Sequence, residues 1–335
     1  MFKVVVFGAT GQLGAYTAEA LKSCGFDVIA VGRRTSDNGF FKSIGVEYIG
    51  GISLENTTDF KKLPTINVDG VVNMAGAMPA HADASPMQYV QSIIVGNVNI
   101  CEWMKKNKIQ RIVFNTTPAD IAHHFEKGYP VSENADRSFP NNGGDHASYA
   151  IAKNTVVDLL DVFRREYGLR PCVFRHLTVY GWHPNAYYHL NGIKKILPFR
   201  SIIRQCIAGK NIEVWGDPAV KKELLYIKDF TKAIVLAIQS DVCGLFNLPG
   251  VRPYTLEEQI DGIIRAFSET SQKIYCPDKP STPFNLLQIG GARDLLHWTP
   301  TWDWDSACMD MKNDMILNPF KLLWGDAEKE DMFYR

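Results

Sequence analysis

The chain has 335 residues, with 36 basic side chains against 36 acidic ones, 46% apolar residues and 21% charged. That length and apolar content are enough for a large core, as one broad domain or two intimate ones. Cancelled charge, with no Lys/Arg block or basic aromatic stripe, speaks against nucleic acid or an anionic membrane as partner and leaves small molecules.

In chain order, Lys3-Val4-Val5-Val6-Phe7 has the β-branched and aromatic composition of a buried parallel strand. It runs into Gly8-Ala9-Thr10-Gly11-Gln12-Leu13-Gly14, and Thr10 to Cys24 reads as a helix. Gly8 permits the tight bend, Gly11 lets backbone approach a pyrophosphate, and Gly14 lets the helix lie against the sheet. Gly8, Thr10, Gly11, Gln12, Leu13 and Gly14 are therefore the expected dinucleotide cradle, with phosphates held by the free N–H groups of the helix start. Because the apolar start ends in this turn and not in a cleavage site, it does not read as a secretory signal. No later stretch reads as a membrane span.

Strands are expected at 3–7, 27–32, 46–49, 69–74, 110–115 and 171–175, alternating with helices near 11–24, 55–62, 86–107 and 146–167. That alternation predicts an α/β fold with a doubly wound parallel Rossmann sheet. Residues 1–178 are the expected NAD(P)-binding domain, which 225–250 also joins. Residues 179–335 form a smaller C-terminal substrate-binding α/β region, with a helix around 196–209. Ligands belong in the crevice between the two.

The end of the second strand selects the cofactor, since an acidic residue there binds the adenosine ribose and repels a 2′-phosphate. Gly32-Arg33-Arg34-Thr35 has no acid. Two guanidinium groups suit a 2′-phosphate, so Arg33 and Arg34 favour NADP over NAD, against the alternative of two solvated loop arginines.

The run from Ala147 to Arg165 keeps Ile151, Val156, Val157, Leu159, Leu160 and Phe163 at helical spacing, which makes Tyr149 and Lys153 i, i+4 neighbours. With thirteen tyrosines in the chain a chance match is expected, and Tyr275-Cys276-Pro277-Asp278-Lys279 is one. Pro277 forbids the helix there. A phenol has a pKa of about 10 and is a poor base at neutral pH. A nearby ammonium and the positive nicotinamide of an oxidised cofactor would lower it, fitting Tyr149 for proton exchange with a sugar hydroxyl.

Seven cysteines, odd in number and without CxxC spacing, read as free thiols in a reducing cytoplasm, and no metal site is expected. His123-His124 on an irregular loop lack the i, i+4 geometry of a helical metal pair and read as solvated.

Taken together, these residues resemble the extended short-chain dehydrogenase/reductase family, in its nucleotide-sugar epimerase/dehydratase branch, over nearly the whole chain. Further landmarks fall in order: Asn73-Met74-Ala75-Gly76, Phe114-Asn115-Thr116-Thr117, Pro130-Val131-Ser132-Glu133, Arg175-His176-Leu177-Thr178-Val179-Tyr180-Gly181, Tyr226-Ile227-Lys228-Asp229, Phe246-Asn247-Leu248 and Trp298-Thr299-Pro300. The resemblance implies that Thr117 holds the reacting sugar oxygen beside Tyr149, and that Lys153 also binds the nicotinamide ribose. It places Ala75 by the cofactor, Thr178 and His183 by the substrate, and Lys222 where the family has an arginine for the substrate diphosphate. Lysine lacks the planar fork for that contact, and an exposed solvated Lys222 is the competing reading. His183 carries two readings, proton donor or polar loop residue.

Departures narrow the activity. Pro118 and Ala119 stand where dehydratases of this branch carry Asp-Glu, so sugar dehydration is disfavoured. Ile93, Ile121, Thr178 and Gly51 replace other common residues. The expected activity is a nucleotide-sugar epimerase acting at C4 through a transient 4-keto sugar. The alternatives are an NADPH-dependent reductase of a nucleotide-linked keto sugar and a non-catalytic NADP-binding sensor. The helices near 86–107 and 146–167 resemble those that pair family members into homodimers.

Overall fold

The computed structural model describes residues 2–79, 85–139, 145–190 and 193–326. Its centre is a seven-stranded sheet built from β1 (Lys3–Phe7), β2 (Asp27–Val31), β3 (Glu47–Ile49), β4 (Gly70–Asn73), β5 (Arg111–Thr116), β6 (Arg170–Arg175) and β7 (Gly244–Asn247). The order is β7-β6-β5-β4-β1-β2-β3, and every pairing is parallel. Along β1 the side chains alternate between two cores. Val4 and Val6 enter one, while Val5 and Phe7 enter the other, which is why the strand reads as an unbroken apolar run.

Helices cover both faces. On the first lie α1 (Gln12–Ser23), through Ala15, Ala18 and Leu21, and the later helix Ile227–Gln239, through Phe230, Ala233 and Ile234. On the second lie α2 (Gly96–Lys106), through Ile100 and Met104, and α3 (Asp145–Tyr167), through Val156, Leu160 and Phe163. Strand order reverses between β1 and β4. That switch point opens a crevice at the carboxyl ends of the strands, where ligands bind in such sheets.

Beyond β6 the chain builds α4 (Pro198–Ile207) and small two-stranded sheets. Ile212–Trp215 pairs with Lys273–Cys276, and Lys221–Glu223 pairs with Pro253–Thr255. Tyr275 therefore lies on a strand, not a helix. Ile227–Gln239, here α5, is followed by β7 and then by α6 (Leu256–Phe267), which opens with a capping box of Thr255 and Glu258. Next comes α7 (Trp304–Leu317). Arg111 ties this later chain to the sheet: it is 1% exposed, with Nε donating to Ala237 O at 2.8 Å and Nη1 to Val242 O at 2.7 Å.

Three local expectations change. The helix near 55–62 is only a 3-10 turn, Asp59–Lys62, because polar side chains bond locally. Thr58 N donates to Asn56 Oδ1 and Ser53 N to Asp59 Oδ2, competing with a helical ladder. The helix near 86–107 is interrupted by a π-helical turn at Val90–Val95, where Asn97 Nδ2 bonds Ile93 O at 2.6 Å. His123-His124 lie on a 3-10 helix, Pro118–Lys127, started by Pro118 in the first turn, and not on an irregular loop. They are half-buried and stacked 4.0 Å apart, so they are not the solvated pair expected. Among the described residues no group of three or more His, Cys, Asp or Glu is placed to hold a metal, and no helix is long and apolar enough to cross a membrane.

Candidate active site

The glycine turn meets the physical demands of a phosphate cradle. Gly8 has φ +74°, and a Cβ there would lie 2.6 Å from Ala75 N, so the β1 turn and Ala75 approach backbone to backbone. A Cβ on Gly14 would lie 2.2 Å from Gly8 O, which only glycine avoids. Gly11 caps α1 without a side-chain bond, and no acidic residue lies in the first turn. The helix start thus offers uncapped amides and no opposing charge, and these residues fit a dinucleotide pyrophosphate. Gln12 Nε2 reaches across to Gly181 O at 3.0 Å, and half-buried Leu13 packs on the core beneath. Ala75 N is itself held by Asn73 Oδ1 at 2.9 Å, and Asn73 Nδ2 by the buried Asn97 at 2.8 Å. Sequence reasoning did not single out Asn97; its only signal is a polar residue on the buried face of an apolar helix.

At the far side of β4, the end of β5 meets α3. Lys153 is 5% exposed, and its Nζ donates to Asn115 O at 2.8 Å while lying 4.4 Å from the Phe114 ring centroid. Burial pulls its pKa down to about 7. Tyr149 packs edge-on against Tyr89, with centroids 5.8 Å apart, and burial first, then Tyr89, holds its pKa above the usual phenol value. The expected lowering by Lys153 is therefore absent from the protein groups alone. The ammonium is engaged by a backbone carbonyl, and desolvation of the phenol dominates. A phenolate at Tyr149 therefore needs positive charge that this arrangement of protein groups does not bring to it.

Thr117, half-buried at the end of β5, accepts from Ala119 N at 3.3 Å and caps the 3-10 helix. Two residues that sequence reasoning left unassigned sit beside it. Asn115 Nδ2 lies 3.3 Å from His176 Nε2, and His176 Nδ1 lies 2.7 Å from Leu177 O. Burial lowers His176 to about 4, so the ring is neutral, donating through Nδ1 and accepting through Nε2. Asn115 Oδ1 and Thr116 Oγ1 are buried and meet no donor among the described residues. Both lie at the carboxyl end of β5, but Thr-Asn-rich strand ends are too common for that pattern to have flagged them.

The remaining expected residues divide. Thr178 is exposed on the turn after β6. Lys222, for which an exposed solvated lysine was the competing reading, is half-buried on its strand beside Tyr254 and Asn285, and burial lowers its pKa. Among the described residues it forms no ion pair, which leaves a desolvated cation facing the later half of the chain. His183 contacts its own turn and the late chain. Its Nδ1 accepts from Asn185 N at 3.0 Å, its ring lies 4.4 Å from Trp324, and burial lowers it to about 4. A turn-forming histidine with Nδ1 engaged matches the polar-loop reading. Arg33 and Arg34 are both exposed, and Arg34 Nη1 donates to Leu323 O at 2.9 Å.

A phosphate turn at one end of a doubly wound sheet and a Tyr-x-x-x-Lys helix against its fifth strand define an extended short-chain dehydrogenase/reductase. The NAD dependent epimerase/dehydratase family matches residues 4–248, about three quarters of the sequence, and the chain belongs to that family. It is 23% identical over 323 residues to a UDP-glucose 4-epimerase of Lacticaseibacillus casei, covering 90% of this chain and 92% of the relative. It is 25% identical over 250 residues to a UDP-glucuronate 4-epimerase of Thermodesulfobacterium geofontis, covering 72% of each. Among solved structures it resembles the UDP-glucose 4-epimerase of Thermotoga maritima with UDP-glucose, at TM-score 0.76 and 20% identity, covering 95% of this chain and 99% of that one. It also resembles the Bifidobacterium longum enzyme in complex with NAD+ and UDP, at TM-score 0.73 and 19% identity, covering 95% and 99%.

Proposed function

We propose that this protein is a nicotinamide-dependent nucleotide-sugar epimerase acting at C4 of the sugar. The observation that carries the reading is Lys153 Nζ bonded to Asn115 O at the end of β5, two residues before Thr117, on the helix that also carries Tyr149 one turn earlier. Relatives named as UDP-sugar 4-epimerases along nearly the whole chain support it. Tyr149 takes the proton from the C4 hydroxyl as Thr117 Oγ1 hydrogen-bonds the same oxygen. Lys153 leaves the Asn115 carbonyl for the nicotinamide ribose, where its charge favours the phenolate. A bound nicotinamide ring supplies reversible acceptance of the C4 hydride. After the keto sugar has turned, Tyr149 returns the proton. Dehydration is disfavoured because Pro118 and Ala119 have no side chain that exchanges a proton, and the next residue, Asp120, is 0% exposed and paired with Arg175 at 2.8 Å.

One observation favours a second reading, reduction of a keto sugar by NADPH. Arg33 and Arg34 stand at the end of β2 with no acidic side chain between Gly32 and Thr35, a charge pattern suited to the 2′-phosphate of NADP. The two readings separate when purified protein is incubated with UDP-glucose, UDP-glucuronate and UDP-N-acetylglucosamine and the products are resolved by chromatography. Conversion to the C4 epimer without added reductant is expected. Stoichiometric consumption of NADPH on a keto sugar would replace the epimerase reading with the reductase, and inertness in both assays would leave the sensor.

The same reading includes a cytoplasmic homodimer. Its supports are seven free thiols and the exposed apolar side chains Met87, Val90, Ile151 and Val162 on the two adjacent helical segments of the expected dimer face. Light scattering is expected to give twice the 37.6 kDa chain mass, and a monomer at micromolar concentration contradicts the dimer.

A further inference from the structure

The segment Asn318–Gly325, more than 280 residues from the glycine turn in sequence, closes back onto it. Asn318, in the left-handed region at φ 44°, ends α7 and turns the chain. Phe320, 1% exposed, then anchors the segment between Tyr16 and Phe40, with ring centroids 4.5 and 5.3 Å away, and Trp324 lies 4.5 Å from Phe320. Two polar contacts reach the cofactor elements. Trp324 Nε1 donates to Thr10 O at 2.9 Å, and Leu323 O accepts from Arg34 Nη1 at 2.9 Å. The main chain of Arg34 is fixed as well, its carbonyl accepting from Tyr48 OH at 2.6 Å and Gly51 N at 3.1 Å.

In a doubly wound dinucleotide fold the β1 turn takes the pyrophosphate and the end of β2 takes the adenosine ribose. A segment bonded to both borders the adenosine half of the site. We propose that Asn318–Gly325 is a wall of that half-site and that Leu323 O, held in place by Trp324 and Phe320, sets the guanidinium of Arg34 toward the adenosine ribose or its 2′-phosphate. The inference rests on the dinucleotide reading of the glycine turn and makes Trp324 a positioning residue. An arginine on an open loop loses rotamer freedom when it binds, and one restrained beforehand loses less. The guanidinium fork keeps further donors after Nη1 has met Leu323 O, so restraint and ligand contact are compatible.

The test is a double-mutant cycle on cofactor-stripped protein, with dissociation constants for NADP+ and NAD+ from calorimetry. Trp324→Ala is expected to weaken NADP+ roughly tenfold, about the worth of one charge-assisted hydrogen bond. Arg34→Ala should lose at least as much, and the double variant no more than Arg34→Ala alone. An unchanged constant in Trp324→Ala, or losses that multiply, overturns the inference. If Trp324→Ala does not fold, Trp324→Phe keeps the ring on Phe320 and removes only the donor to Thr10. Its expected loss is about threefold for one neutral hydrogen bond, and no loss overturns the proposal. A wild type that binds NAD+ more tightly than NADP+ ends the NADP preference alone, since the cycle run with NAD+ still tests the wall. A wild type that binds neither ends both.

Discussion

Replacing Tyr149 by phenylalanine is expected to lower kcat by roughly 10²–10⁴, the range for losing a positioned acid–base group, with dinucleotide affinity close to wild type. The ring is what packs: it meets Tyr89 edge-on and lies among buried neighbours of α3, and a phenylalanine repeats those contacts. Only the hydroxyl is lost. Because burial holds that hydroxyl above its ordinary pKa, its use as a base depends on positive charge brought beside it when the cofactor binds and Lys153 turns from Asn115 O. Steady-state rates on the nucleotide sugar that the wild type converts, with calorimetry for the cofactor, separate the two effects. A variant within threefold of wild-type kcat would remove Tyr149 from its role.

The second large effect is on stability. Asp120→Ala is expected to destabilise the protein by about 3–5 kcal/mol, because it strands the Arg175 guanidinium in the interior. Both side chains are 0% exposed, joined at 2.8 Å, and burial pushes Asp120 up and Arg175 down from their ordinary pKa values. Those directions show that desolvation opposes the pair, so removing both charges together should cost much less than removing one. Urea unfolding of Asp120→Ala, Arg175→Met and the double variant measures this. A single-variant loss below about 1 kcal/mol would mean that water reaches the pair. Asp120 lies three residues after Thr117 on the same 3-10 helix, so a partly unfolded variant would also misplace the Thr117 hydroxyl.

What could be read from the sequence was what depends on local pattern. The alternating burial of β1, the strained glycines and the i, i+4 spacing of Tyr149 and Lys153 all follow from a few neighbouring residues, and the sheet and crevice follow from their order. The fine structure of the site was less legible because its causes lie far apart in the chain. Asn97 bonds back to Ile93 O in the π-helical turn and accepts from Asn73, 24 residues earlier, and His176 is neutral because it is buried against Asn115 and Leu177. Lys222 looked as much like a surface lysine as a ligand until the strand at Pro253–Thr255 and Asn285 covered it. His183 is placed by the substrate only through the family resemblance, whereas its environment is made by Trp324 and Arg200, which contribute an indole ring and a bond to its carbonyl. A phenol pKa cannot be inferred from spacing at all, since it is decided by how much water is removed.

Arg111 has a consequence for how the protein matures on the ribosome. Its guanidinium is enclosed at the base of β5, yet two of its acceptors, Ala237 O and Val242 O, are translated more than 120 residues later, just before the strand that covers β6. At about 5–20 residues per second the emerging amino-terminal half spends on the order of ten seconds with that guanidinium still in water and a strand edge open. The seven-stranded sheet is thus finished by residues that lie past α4 and the first of the small sheets' strands. Nascent chains stalled before that point carry a sticky margin that chaperones, or another copy, can seize.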